Sequence, residues 1–413
     1  MKPLTLDLIE MANGGAAVAR GKKKLTIFVP YGIAGEKVRA NIISQKNDHA
    51  RAEIVQVLKP SPDRVEPNCD YFGVCGGCHF QHMRYEAQLR TKQAIVLDQM
   101  ERIGNVKNAP VRETLPNPTP WAYRVEMNLS PTKDGRLGFW SPHKREVIPI
   151  EACPISHPQL LTLLQDIDLE LPGLRKMTLR MGADEALLAA VEVNDVEPPS
   201  LQADFPISVA IVLPNKTAAT LVGDHFIVQS VHERDFRVSP GCYLPVSMSG
   251  MALVIDTVLH YAKLTGHESV LELHSGVGML TAFLAEQAAR VVAVERNPDA
   301  VADMAVNLAL TENVSVYEGF LESVMPTLDD DFDLVILHPP KDGLSRDGVQ
   351  VLLDKRPSRF IYVSSDIATM ARDGRQLIKR GGYKLVEIQP IDMQPQTFRV
   401  ETVSLWERES GSH

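Results

Sequence analysis

Four of the five cysteines fall in a pattern that suits a soft metal centre. Cys69, Cys75 and Cys78 lie within ten residues, and Cys153 follows later in Glu151-Ala152-Cys153-Pro154. Three thiolates this close can wrap one centre, and a distant fourth closes the shell while tying two segments together. Gly73, Gly76 and Gly77 interleave with them and let the backbone turn tightly. Isolated core cysteines rarely cluster this way. Zinc and a [4Fe–4S] cluster both accept four thiolates, and spacing alone does not choose between them. The fifth thiol, Cys242, sits in an apolar run and reads as a small buried hydrophobe.

A second constellation belongs to nucleotide chemistry. Val270-Leu271-Glu272-Leu273-His274-Ser275-Gly276-Val277-Gly278 is an apolar strand entering a Gly-x-Gly turn that opens a helix. Gly276 and Gly278 let a ligand approach the backbone, and the helix start offers free N–H groups. Seventeen residues past Gly278, Glu295 ends the next strand, where a carboxylate can accept from a ribose diol. S-adenosylmethionine (SAM) and NAD both satisfy this pattern.

The bulk properties bound what surrounds these residues. The 413 residues suffice for two or three domains, and 44% hydrophobic with 23% charged residues is an ordinary globular balance. No apolar run approaches the ~20 residues that span a bilayer. The start, MKPLTLDLIEMANGG, lacks the build of a signal peptide, so a cytoplasmic address and no membrane partner are expected. A monomer is the default expectation. The net charge of -9 does not itself suggest nucleic acid. Residues 1–60 nevertheless hold ten Lys/Arg against five Asp/Glu, leaving -14 on the remainder, and Arg20-Gly21-Lys22-Lys23-Lys24 is the densest run.

The elements that must position these groups change character along the chain. Residues 1–60 show β-like runs at Leu4–Ile9, Lys24–Val29, Glu36–Ile43 and Arg51–Leu58 with glycine turns, which predicts a small β-barrel. Pro60, Pro62 and Pro67 mark a boundary. A helix is expected over 84–103, packed on the C-terminal part, followed by mostly β structure over 120–235. From about residue 236, strands alternate with helices, which predicts an α/β domain with a mostly parallel sheet covered on both faces. The expected domains are therefore 1–60, 61–235 and 236–413.

With these residues in place, the chain resembles the RNA uracil-5-methyltransferase family over nearly its whole length. Cys69-Asp70-Tyr71-Phe72-Gly73-Val74-Cys75-Gly76-Gly77-Cys78-His79-Phe80-Gln81-His82 is similar to the family's cluster motif, with Cys153 as fourth ligand. Gly138-Phe139, Ser239-Pro240, Tyr362-Val363-Ser364, Ala371-Arg372-Asp373 and Pro395-Gln396-Thr397-Phe398-Arg399-Val400-Glu401-Thr402-Val403 follow in family order. The resemblance implies an OB-type TRAM domain that binds RNA at 1–60, a [4Fe–4S] cluster, and a class I SAM-dependent domain acting on rRNA or tRNA. It also implies a chemistry: a cysteine thiolate adds to uracil C6, C5 takes the methyl group of SAM, and a glutamate removes the C5 proton.

This chain departs from that pattern where the chemistry is done. The family's Ser-Cys-Asn-Pro stands here as Ser364-Ser365-Asp366-Ile367, so Ser365 holds the nucleophile position. A hydroxyl needs an adjacent general base to attack, and Asp366 is the neighbour that could serve. The base position is kept as Glu401. Around the cofactor, Pro245, His274, Phe320 and His338 stand where the family carries Gln, an aromatic residue, Asp and Asp. Losing several polar contacts at ~0.5–1.5 kcal/mol each weakens SAM binding by orders of magnitude. The expectation is an RNA methyltransferase of the uracil-5 type with a degenerate site. The alternative is a catalytically inactive member acting as an iron–sulfur RNA-binding protein.

Overall fold

The computed structural model describes residues 3–167, 173–194, 206–213, 218–328 and 331–409. Near the N-terminus, strands Leu4–Asp7, Glu10–Met11, Ala16–Arg20, Thr26–Pro30, Lys37–Gln45 and His49–Lys59 form one six-stranded sheet. Its buried face is built from Leu6, Ala17, Ala19, Ile27, Val29, Val38, Ala40 and Ala50. Alternation of buried and half-buried positions along Thr26–Pro30 is the period of two that a strand with one covered face requires. The strand Ala16–Arg20 was not anticipated, because its small residues carry little β signal. Buried Glu36 accepts from the Ser61 and Ile33 amides and pairs with Arg64, which ties the proline-rich exit to this sheet.

A second sheet of seven strands runs from Ala218–Val222 at one edge to Glu146–Pro149 at the other. Helix Pro158–Asp166 covers it, with Leu160, Leu163 and Leu164 against Met127, Leu129 and Leu179. Residues 120–235 are thus mostly β, as expected, with this one helix added. Its start is marked in the sequence by His157 at the cap and Pro158 in the first turn.

The third sheet positions the candidate site. Its order is Val314–Glu318, Arg290–Glu295, Ser269–Leu273, Leu334–Leu337, Arg359–Ser364, Glu401–Arg408, Tyr383–Ile391. The first five are mutually parallel, and Glu401–Arg408 runs antiparallel to both its neighbours. Consecutive residues of each strand supply opposite faces. Val270, Ala293, Ile336 and Val363 join helices Met248–Ala262 and Met279–Ala285 on one side. Leu271, Leu273, Val292, Leu337 and Tyr362 join the other. There they meet Ile95, Val96 and Met100 of helix Tyr85–Arg102, together with residues of helices Arg346–Lys355 and Ile367–Gly381. Burial on both faces explains the near-continuous apolar strands read in the sequence. This is the expected α/β class. Among the described residues no helix is long and apolar enough to cross a membrane.

Candidate functional site

One edge of the parallel sheet gathers the sequence-predicted residues. His274 follows Ser269–Leu273, Glu295 closes Arg290–Glu295, and His338 follows Leu334–Leu337. Ser365 follows Arg359–Ser364, while Glu401 opens the reversed strand. The register pairs Ser364 with Thr402, so Ser365 and Glu401 stand at the same end of neighbouring strands. The carboxyl ends of parallel strands are where ligands bind in such sheets.

The glycine turn is shaped for close approach. Gly276 has φ +58° and open space where a side chain would stand. Gly278 has φ +83°, and a Cβ there would meet the Met304 side chain at 2.8 Å, so helix packing also demands glycine. Glu295 Oε2 accepts from the Gly276 amide at 3.0 Å, and Oε1 accepts from the Arg296 and Asn297 amides at 2.8 Å each. With Oε1 taking two donors, the remaining acceptor capacity lies on Oε2.

Sequence reasoning missed Glu272. It is buried in the strand before the turn, and burial raises its carboxyl to about 8. Its Oε2 and the Ser275 hydroxyl have no hydrogen-bond partner. A lone acid in an apolar strand was the available signal. Beside the turn, a cavity of about 250 Å³ is lined by His274, Arg296, Gly319, Phe320 and Pro340. Phe320 is exposed, and the Arg296 guanidinium lies over its ring at 5.5 Å. These groups fit an adenosine-bearing cofactor: a carboxylate at the strand end, an open glycine turn, unpartnered polar atoms and an aromatic face.

Chemistry at the other end of this edge is altered. His338 Nε2 lies 3.8 Å from Glu401 Oε1. Burial raises the Glu401 carboxyl to about 8, and burial with neighbouring His274 lowers His338 to about 4. Near neutral pH both are therefore mostly uncharged. Asp366, next to Ser365, also serves the backbone. Its Oδ1 accepts from the Ala368 and Thr369 amides at 2.9 and 3.1 Å, capping helix Ile367–Gly381. Cys242 is buried and donates to Asp303 Oδ2 at 3.4 Å, and burial followed by the Asp303 charge pushes its thiol up. It is held in packing, as the sequence suggested.

The four clustered cysteines meet. Cys69, Cys75, Cys78 and Cys153 all line one cavity of about 170 Å³ with Gln81, Phe139 and Arg124. Burial raises the thiols of Cys69, Cys75 and Cys78, the last to about 12. Left alone they would be protonated, so thiolates here call for a cationic centre to hold. Among the described residues no group of three ligands converges on a point where one metal ion would sit. Four thiols lining one cavity are a donor set that a soft metal centre takes. Around it, the Ser141 hydroxyl donates to the Val74 carbonyl at 2.6 Å, and the Glu151 amide donates to the Tyr71 hydroxyl at 3.3 Å. These bonds close the cysteine loops on each other.

Comparison with known proteins agrees with this architecture. Residues 252–327 match the family described as ribosomal RNA adenine dimethylase. The chain is 30% identical to an uncharacterized RNA methyltransferase of Aquifex aeolicus, over 98% of this chain and 99% of that one. It is 31% identical to one of Bacillus cereus strain ATCC 10987, over 97% and 95%. Among solved structures, the tRNA (uracil-54, C5)-methyltransferase of Pyrococcus abyssi, in complex with S-adenosyl-L-homocysteine, shares the fold. Its TM-score is 0.75 at 22% identity, covering 98% of this chain and all of that one. End-to-end likeness at this level, on a class I methyltransferase sheet, means that the chain belongs to the RNA methyltransferase family.

Proposed function

We propose that this chain is an iron–sulfur, RNA-binding member of the uracil-5 type whose site has lost the covalent step of that chemistry. The observation that carries this reading is Ser365 at the nucleophile position, whose neighbour Asp366 spends Oδ1 on capping the next helix. An unactivated hydroxyl does not add to a pyrimidine, whereas a thiolate does. Glu401, kept uncharged by burial, cannot take a proton until it is ionised.

In this reading, residues 1–60 bind RNA as a TRAM-type module, 61–235 carry the cluster, and 236–413 form the SAM-type domain. The excess of basic residues in 1–60 supports the RNA role. Glu295, Gly276 and Gly278 would hold SAM with His274 and His338 beside it, and a bound SAM would supply an electrophilic methyl group. Cys69, Cys75, Cys78 and Cys153 would hold a [4Fe–4S] cluster. The test is anaerobic protein incubated with methyl-labelled SAM and bulk rRNA and tRNA lacking 5-methyluridine. Binding of RNA without label at uracil C5 is expected. Label at C5 from the unaltered chain would overturn the reading and restore an active methyltransferase.

A further inference from the structure

Arg124 lies in the wall of the thiol cavity, and no other residue lining that cavity carries a charge. Its Nε is buried and has no hydrogen-bond partner. The ionisable groups beside it include Cys75, Cys78 and Cys153, together with Tyr123, which also hydrogen-bonds it. Its backbone is clamped to the cysteine loop: the Arg124 amide donates to the Ile155 carbonyl at 2.9 Å, and the His157 amide donates to the Arg124 carbonyl at 3.0 Å. These bonds fix the Arg124 backbone beside the segment that carries Cys153.

A guanidinium keeps its charge at any pH a protein meets, and burying it without an anion is costly. The anion the surroundings offer is the set of thiolates. We propose that Arg124 is the built-in counter-charge of this centre and sets its reduction potential; this rests on the iron–sulfur reading above. Four thiolates around a [4Fe–4S] core leave the oxidised centre with a net negative charge, and one added electron deepens it. A fixed cation at the sulfurs stabilises the reduced form more than the oxidised one, so it raises the potential. Arg124 is thus a positioning residue that acts through the cluster and needs no contact with RNA.

The experiment compares the unaltered chain with Arg124→Lys and Arg124→Met, all purified anaerobically. Both substitutions lose the planar fork at similar volume, and only the second loses the charge. Iron and acid-labile sulfide are measured first. Each centre is then titrated with a chemical reductant supplying the electron, followed by absorbance and electron paramagnetic resonance. Arg124→Lys should keep its iron and a potential near that of the unaltered chain. Arg124→Met should shift to a lower potential, or lose iron that Arg124→Lys retains. Equal behaviour of the two variants in both potential and iron content would overturn the proposal, because shape and not charge would then matter. Zinc without iron in the unaltered chain would remove the iron–sulfur reading and this inference with it, and the metal assay reports that before any variant is made.

Discussion

Glu401 Oε1 and His338 Nε2 face each other across 3.8 Å at the edge of the parallel sheet. Burial drives their proton affinities in opposite directions, up to about 8 for the acid and down to about 4 for the imidazole. The result is a neutral pair where uracil-5 chemistry would call for an ionised base.

This pair makes stability depend on pH with a definite sign. A folded carboxyl at about 8 binds a proton that the unfolded chain has released above about 4.5, so Glu401 costs stability as pH rises from about 4.5 towards 8. His338, lowered to about 4, acts oppositely, adding stability as pH rises from about 4 to 6.5. Glu401→Gln removes only the first effect. With ~1.4 kcal/mol for each tenfold change in proton affinity, its stability relative to the unaltered chain should rise by roughly 3 kcal/mol between pH 5 and pH 8. Denaturant unfolding at the two pH values measures this; a pH-independent difference would contradict it.

Asp366 should behave as a helix cap. Asp366→Ala removes the acceptor for two amides of helix Ile367–Gly381 and should cost about 1 kcal/mol, read as a lower unfolding midpoint. Asp366→Asn, which keeps an acceptor oxygen, should recover most of it. Failure of Asn to recover stability would point to a role for the charge instead.

Restoring the thiol alone should not restore turnover. Ser365→Cys supplies a nucleophile, but Glu401 is only partly ionised near neutral pH and Phe320 and His338 still stand in the cofactor region. Methyl transfer from labelled SAM to RNA should remain far below that of an active family member. Robust turnover by this single variant would show that those neighbours matter little.

The thiol centre is bolted to the chain that leads into Glu401. The His79 and Phe80 amides both donate to the Gln396 carbonyl at 2.9 Å, and the Tyr123 hydroxyl donates to the Pro395 carbonyl at 3.0 Å. Cys153→Ser should therefore lose iron and also speed amide exchange across 69–82 and 394–400. Iron held normally would remove Cys153 from the ligand set. Unchanged exchange at 394–400 after iron loss would uncouple the two regions.

The parallel sheet was legible in the sequence because its strands are buried on both faces and read as apolar runs bounded by turns. Arg359–Ser364 was read to the residue, and the glycine turn with Glu295 fell where expected. The four cysteines singled out by their spacing line one cavity. Helix Ile367–Gly381 is harder to see, because its cap Asp366 sits in the same run as the nucleophile position. Arg124 and Glu272 were missed for a different reason. Glu272 is one acid in an apolar strand, Arg124 lies just before a strand, and what each faces is decided by segments far away in sequence.

The most direct test uses RNA containing 5-fluorouridine, in which fluorine replaces the C5 hydrogen and cannot be taken off by a base, so that any methylated adduct at C6 persists. The unaltered chain, with SAM and this RNA, is resolved under denaturing conditions and digested for mass spectrometry. The account predicts RNA binding before denaturation and no covalent species after it. A peptide containing Ser365 joined to the sixth carbon of the pyrimidine would contradict it.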